Sequence, residues 1–125
     1  MIFRERYMAQ IRPFYESDLI KIITGIRRCG KSVILRQIMS EIEKAGKRCL
    51  FLDFDLRPVA ARIPEADALI ACVNEYLGDD KLYVFLDEIQ NVDGWNDAVR
   101  TLRLYNTSVF ITASCSALKS CTPTR

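Results

Sequence analysis

The stretch at residues 25–32, GIRRCGKS, constrains the fold more than any other part of the chain. It matches the pattern G-x-x-x-x-G-K-[ST], in which a glycine-rich turn follows a strand and opens a helix. The apolar run 19–24 (LIKIIT) precedes it, and apolar residues follow at helical spacing through residues 31–45. This context predicts a loop whose backbone N–H groups, together with the N-terminus of the helix, surround a phosphate group.

The residue types in the loop indicate separate roles. Lys31 supplies a positive charge to the β- and γ-phosphates and so assists catalysis, while the hydroxyl of Ser32 is predicted to bind Mg²⁺. Arg27 and Arg28 are candidates for the γ-phosphate or a neighbouring subunit, although exposed loop arginines are equally common. Positive charge beside Cys29 would make its thiol reactive. The predicted nucleotide contacts are Gly25, Ile26, Arg27, Arg28, Cys29, Gly30, Lys31, Ser32 and Val33.

The remaining pattern alternates strands with helices. Further strands are predicted at 48–54, 82–86 and 108–113, with helices at 64–77 and 95–105 and an irregular segment up to Ile63. Asp93 is a candidate N-cap of the last helix, and Trp95 is assigned to its buried stripe. Such alternation favours parallel pairing, and hence an α/β three-layer sandwich.

Two acids are candidates for the second metal ligand that a phosphate loop of this kind requires. Asp53 ends the strand CLFLD, and Asp87 ends the strand LYVFLD. We favour Asp87, because Glu88 beside it is positioned to polarise an attacking water as the general base of nucleotide hydrolysis. Asp53 in that role would instead indicate a small kinase.

Composition excludes several other classes. The formal charge of +2, from 18 basic and 16 acidic residues, gives no indication of a nucleic-acid partner. Five scattered cysteines and no histidine argue against a zinc site or a disulfide framework. No apolar run is long enough for a membrane span, and charges interrupt the first residues, so we expect a cytoplasmic protein.

The segments ITGIRRCGKSVILRQI, LYVFLDEIQNVDGW and VFITAS closely resemble the N-terminal ATPase domain of a prokaryotic family of AAA-type ATPases. The resemblance implies ATP and Mg²⁺ as ligands, and a parallel sheet with the fourth strand between the first and third. It also implies a γ-phosphate sensor at Thr112 or Ser114. Because this chain has Ala113 and Cys115 where family members usually read T-G-S-N, the sensor role is carried over to those two residues alone.

Members of that family continue into a fifth strand, a helical lid and a C-terminal domain, whereas this sequence stops at Arg125. We therefore expect a P-loop NTPase core of the AAA type without the fifth strand and lid, and an open sheet edge that favours self-association. The expected organisation is a helical lead-in at 1–17, the ATPase core at 18–116 and a tail unlike the family at 117–125. The partners expected are a nucleotide, and either a second copy or the missing C-terminal domain.

These features together predict ATP binding, with Mg²⁺-dependent hydrolysis as the chemistry of the domain. Two alternatives stay open from the sequence. One is a switch module that binds nucleotide and hardly hydrolyses it, since an arginine finger is worth roughly 10³ to 10⁵ in rate and none is evident here. The other is a small P-loop kinase that uses Asp53.

Overall fold

The computed structural model describes residues 9, 11–15, 20–23 and 28–113, except for the side chains of Phe14 and of residues 28–32. Four strands and four α-helices lie in this part of the chain. The strands are β1 (Lys21–Ile23), β2 (Arg48–Asp53), β3 (Leu82–Asp87) and β4 (Thr107–Thr112). The helices are α1 (Arg28–Lys44), α2 (Arg57–Arg62), α3 (Ala66–Asn74) and α4 (Trp95–Arg103), and 3-10 turns lie at Arg12–Phe14 and Ile89–Asn91.

The four described strands form one parallel sheet in the order β1-β4-β3-β2. The fourth strand therefore lies between the first and the third, which confirms the order implied by the resemblance. The register places Asp53 opposite Asp87, and Leu86 opposite Ile111. Because all four strands run in the same direction, their carboxyl ends meet at one edge of the sheet, which is where open α/β sheets bind ligands.

Helices cover both faces of the sheet, so the predicted three-layer α/β architecture is confirmed. On one face, α1 packs its apolar stripe against Phe85 and Phe110, whose rings stack with centroids 4.9 Å apart. On the other face, α3 and α4 pack on a cluster that includes Trp95, as assigned from the sequence. Every residue of β3 and β4 is buried, as expected for strands covered on both sides.

The predicted helix 64–77 is shorter in the structure, where α3 spans Ala66–Asn74 with Glu65 as its N-cap. Three further corrections are needed. Residues 57–62 form the short helix α2 where an irregular segment was expected, with Pro58 in the first turn, where the missing N–H of proline costs no hydrogen bond. Helix α1 begins at Arg28 rather than Lys31, because one glycine near a helix start costs only about 1 kcal/mol. Helix α1 ends at Lys44, within one residue of the expected 45, and Gly46 after it has a φ of +83° and donates to the carbonyl of Glu43.

The third correction concerns Asp93, whose side chain does not cap α4. Gly94 occupies the cap position with a φ of 72°, so no side-chain hydrogen bond caps the start of α4. Asp93 instead uses its backbone, which accepts from Ala66 N at 2.8 Å and donates to Pro64 O at 3.0 Å. The loop before α4 is therefore joined to the start of α3 through the main chain.

The turn at Arg12–Phe14 is attached to α1 through Glu41. Arg12 donates two hydrogen bonds to this carboxylate, at 3.0 and 2.7 Å, and Tyr15 Oη donates a third at 2.8 Å. The hydrogen bonds from Arg12 lower the pKa of Glu41, and burial raises the pKa of Tyr15. Among the described residues, the helices are all too short or too polar to cross a bilayer.

Candidate functional site

The end of β3 places a buried carboxylate at the carboxyl edge of the sheet. Asp87 is only 2% exposed, and its Oδ1 accepts a hydrogen bond of 2.6 Å from Thr112 Oγ1 at the end of β4. Thr112 is fully buried, and the strand register brings it beside Asp87. A buried carboxylate held by a short, charge-assisted hydrogen bond has a fixed orientation.

Glu88 follows in an unusual backbone conformation. Its φ of 57° and ψ of 53° lie in the left-handed region, and it is the one non-glycine residue with positive φ in the described chain. This conformation costs on the order of 1–3 kcal/mol and persists only where surrounding contacts impose it. Here the Glu88 N–H donates to Thr112 Oγ1 at 2.8 Å, and the Glu88 carbonyl accepts from Asn91 N at 3.2 Å.

One hydroxyl therefore links both acids. Thr112 Oγ1 donates its hydrogen to Asp87 and accepts the N–H of Glu88, so both functions of the hydroxyl are used. The chain turns sharply after Asp87, and the hydroxyl holds the Asp87 carboxylate and the Glu88 backbone together at the edge of the sheet. This arrangement brings together the two acids that the sequence paired.

The turn after Glu88 is attached to the end of β2. Asn91 Nδ2 donates to Phe54 O at 2.9 Å, and Phe54 N donates to Asp87 O at 2.9 Å. Gln90 Nε2 donates to Glu88 Oε1 at 2.7 Å. The turn is therefore fixed to the neighbouring strand, and the Glu88 carboxylate has its own hydrogen-bond partner.

Asp53, the other candidate for the metal ligand, lies in a different environment. Its Oδ1 accepts the backbone N–H of Asp55 at 3.0 Å, and its Oδ2 lies 3.8 Å from Arg36 Nη2. Strands about 4.8 Å apart place the end of β2 roughly 14 Å from β1, against roughly 10 Å for β3. Asp53 therefore stabilises a turn on the strand farthest from the phosphate loop.

The phosphate loop is described only in part. Gly25, Ile26 and Arg27 lie outside the described residues, as does Ser114. The backbone of Arg28, Cys29, Gly30, Lys31 and Ser32 forms the first turn of α1, and Val33 follows with a partly exposed side chain. The loop thus enters the helix as the motif predicts, while the side-chain roles of these residues stay predictions.

The residues of the site fit a magnesium ion through their chemistry. Mg²⁺ prefers a few hard oxygen ligands from the protein and completes its shell with water and phosphate oxygens. Asp87 would supply such an oxygen at the carboxyl edge. Among the described residues there is no cluster of three or more His, Cys, Asp or Glu side chains, the donor set that a protein-only metal site would need.

The role of Thr112 as a link between Asp87 and Glu88 was not deduced from the sequence. Thr112 was proposed there only as one of two sensor candidates. The signal that finds the link is the register, because the ends of β3 and β4 become adjacent once the strand order is known. The left-handed conformation of Glu88 gave no sequence signal, since glycine or asparagine is the usual residue at such a position.

Comparison with known families agrees with this geometry. A family model described as an AAA domain matches residues 17–123. The chain belongs to this AAA domain family. The family accounts for the parallel sheet with its inserted fourth strand and indicates a nucleotide-binding domain.

Two relatives of this AAA domain are uncharacterised proteins. One, from Haemophilus influenzae, is 36% identical over 126 residues, which cover 96% of this chain and 31% of the relative. The other, from Methanocaldococcus jannaschii, is 35% identical over 102 residues, covering 81% of this chain and 22% of the relative. The chain thus spans about a third or less of the length of these relatives, and no solved structure matches it significantly.

Proposed function

We propose that this AAA domain binds ATP and hydrolyses it in a magnesium-dependent reaction. The observation that carries the proposal is the pairing of Asp87 and Glu88 through Thr112 at the carboxyl edge of the sheet. A buried acid for the metal and an adjacent acid held in a fixed conformation are the two carboxylates that hydrolysis requires.

Each residue has one role in the proposed reaction. Lys31 and the backbone of residues 25–33 bind the phosphates, and Ser32 and Asp87 hold Mg²⁺. When bound, the metal ion neutralises charge on the phosphate oxygens. Glu88 accepts the proton of the attacking water, and Ser114 or Thr112 contacts the γ-phosphate as the sensor. Because both hydrogen-bonding functions of the Thr112 hydroxyl are already used, Ser114 is the better candidate for that contact.

The kinase alternative receives less support. To act as a metal ligand or general base, Asp53 would have to give up its hydrogen bond from Asp55 N and its proximity to Arg36. It would also act from the strand farthest from β1 in the described sheet. A switch module with little hydrolysis uses the same residues for binding. It differs from the proposed hydrolase only in turnover, so turnover is the quantity that separates the two.

The proposal also extends to partners and location. In the described sheet, β1 pairs with β4 alone, and Ile22 on β1 is 43% exposed. We expect a second copy or a further segment of a longer chain to cover this edge. An ATP-dependent reaction draws on the nucleotide pool of the cell interior, so we assign the protein to the cytoplasm. No nucleic-acid partner is proposed.

The experiment is a titration of purified protein with a fluorescent ATP analogue and Mg²⁺, run for wild type and Lys31→Ala. Lys44→Ala, an exposed lysine at the far end of α1, is the matched control. We expect saturable binding by wild type and Lys44→Ala, and binding weakened at least tenfold in Lys31→Ala. Equal affinity in all three proteins would refute the phosphate loop as the nucleotide site.

A further inference from the structure

Gln90 directly contacts the residue proposed as the general base. Its Nε2 donates a hydrogen bond of 2.7 Å to Glu88 Oε1. The orientation of the amide is determined by this contact, because the opposite orientation would place the amide oxygen against a carboxylate oxygen, and neither atom can donate. The Glu88 carboxylate therefore has one defined direction relative to the turn.

The other half of the same amide is left without a partner. Gln90 Oε1 is enclosed by protein and accepts no hydrogen bond within the described part of the chain. Buried polar atoms are nearly always paired, and leaving one unpaired is unfavourable for folding. The hydrogen bond that the structure shows for the Gln90 amide is therefore the one to the Glu88 carboxylate.

The backbone around Glu88 is fixed without any help from Gln90. Thr112 Oγ1 accepts the Glu88 N–H, and Asn91 N donates to the Glu88 carbonyl. These contacts set the left-handed conformation but leave the three side-chain torsions of Glu88 free to rotate. The bond from Gln90 is the contact that restricts them, so the two sets of contacts control different degrees of freedom.

We propose that Gln90 is a positioning residue of the hydrolytic site, whose amide holds the Glu88 carboxylate in the direction from which it accepts a proton. This inference rests on the proposed hydrolysis of ATP and on Glu88 as its base. A base displaced by about 1 Å loses on the order of 10²-fold in rate. Gln90 acts only through Glu88, so it contributes to turnover and makes no contribution to nucleotide affinity.

The test compares Gln90→Met with wild type in nucleotide affinity and turnover. Methionine keeps the volume and removes the amide, so we expect kcat to fall roughly 10- to 100-fold while the Kd for MgATP stays within about twofold. Asn91→Ala is the matched control in the same turn. It loses the bond to Phe54 O, and we expect it to lower thermal stability while kcat stays within a few-fold.

The double variant Glu88→Gln with Gln90→Met shows whether Gln90 acts through Glu88. Groups that act as one unit are non-additive, so Gln90→Met should cause no further loss once the Glu88 carboxylate is gone. An additional loss in that background would mean that Gln90 acts through the fold, and would refute the inference. If Gln90→Met does not fold, Gln90→Asn carries the same comparison, because its amide is one methylene too short to reach.

The outcomes separate the two proposals. Wild-type turnover that Gln90→Met leaves within twofold would overturn the role of Gln90 and leave ATP hydrolysis standing. Wild-type protein that binds MgATP without any turnover would overturn the proposed hydrolysis, and a catalytic role of Gln90 with it. A faster rate in Gln90→Met would show that the amide restrains the base, which also contradicts the inference.

Discussion

Two neighbouring strands, β2 and β3, end in the same way in sequence and in different ways in structure. Each is an apolar run followed by an aspartate, and the register sets Asp53 directly opposite Asp87. Asp87 is buried and bound by Thr112, whereas Asp53 is partly exposed and bonded within its own turn. Strand position explains the difference, because β3 lies between two neighbouring strands while β2 is an edge of the sheet that the described residues form.

This comparison shows that the contacts of an acid at a strand end depend on the strand beside it. Asp87 has β4 as a neighbour, and the end of β4 supplies a hydroxyl that bonds the Asp87 carboxylate and the backbone N–H of Glu88. Asp53 has no such neighbour on its open side, and its Oδ1 accepts a backbone N–H two residues along its own chain. The two strand ends can therefore be separated by mutation.

The largest expected difference is in turnover. Asp87→Asn removes the proposed metal ligand while keeping an acceptor for Thr112, so the fold should persist. We expect kcat for ATP to fall on the order of 10³-fold, since metal-ion catalysis is worth several kcal/mol and each factor of ten corresponds to about 1.4 kcal/mol. Asp53→Asn should stay within a few-fold of wild type in the same steady-state assay. Equal losses in the two variants would break the comparison.

The reactivity of Cys49 tests how firmly the edge strand β2 is packed. Burial raises the pKa of this thiol to about 11, so it is protonated at neutral pH. We expect alkylation of Cys49 by iodoacetamide to be about 100-fold slower at pH 8 than that of an exposed thiol, and to accelerate about tenfold per pH unit up to pH 11. Peptide mass spectrometry measures the rate. Rapid modification at pH 8 would mean that β2 separates from α1.

The link through Thr112 should appear in stability. Thr112→Val leaves the partly buried Glu88 N–H without its acceptor and removes a hydrogen bond from Asp87. We expect a cost of about 1–3 kcal/mol in the free energy of unfolding. Thr101→Val is the matched control, because its hydroxyl bonds only to Asp97 O on the exposed side of α4. We expect that control to change stability by less than about 0.5 kcal/mol. Urea denaturation followed by circular dichroism measures both.

The smallest expected effect concerns the ion pair at the end of β2. The Arg36 side chain is 56% exposed, and its Nη2 lies 3.8 Å from Asp53 Oδ2, so solvent screens the attraction. Asp53→Asn keeps an acceptor for Asp55 N and should change the free energy of unfolding by about 0.5 kcal/mol or less. A cost near that of Thr112→Val would show that the two strand ends are equally important for stability.

The sequence was sufficient to predict the parallel sheet, because the four apolar runs and the phosphate-loop motif are local signals. The Asp-Glu pair is a local signal as well, and the preference for Asp87 over Asp53 as the metal ligand stays a prediction. The strand order came from the resemblance. The link through Thr112 needed the register of two strands 25 residues apart, and no local pattern carries that information.

The left-handed conformation of Glu88 could not be predicted for a related reason. Nothing in the segment DEIQN requires a positive φ. A tertiary hydrogen bond from the Glu88 N–H to Thr112 Oγ1 and a local one from Asn91 N to the Glu88 carbonyl hold it. The helix α2 was missed because residues 57–62 are too few to show a helical period, and none of its residues is buried. The conformation of Glu88 therefore depends on a contact that forms only after β3 and β4 have paired.

The central claim is that Glu88 is the base of an ATP-hydrolysing site, and one measurement tests it most directly. Wild type and Glu88→Gln are each mixed in excess with radiolabelled MgATP, and bound ATP and product are quantified over time. The account predicts equal binding and turnover at least 10²-fold slower in Glu88→Gln, the contribution of a general base. Equal rates of product formation in the two proteins would contradict it.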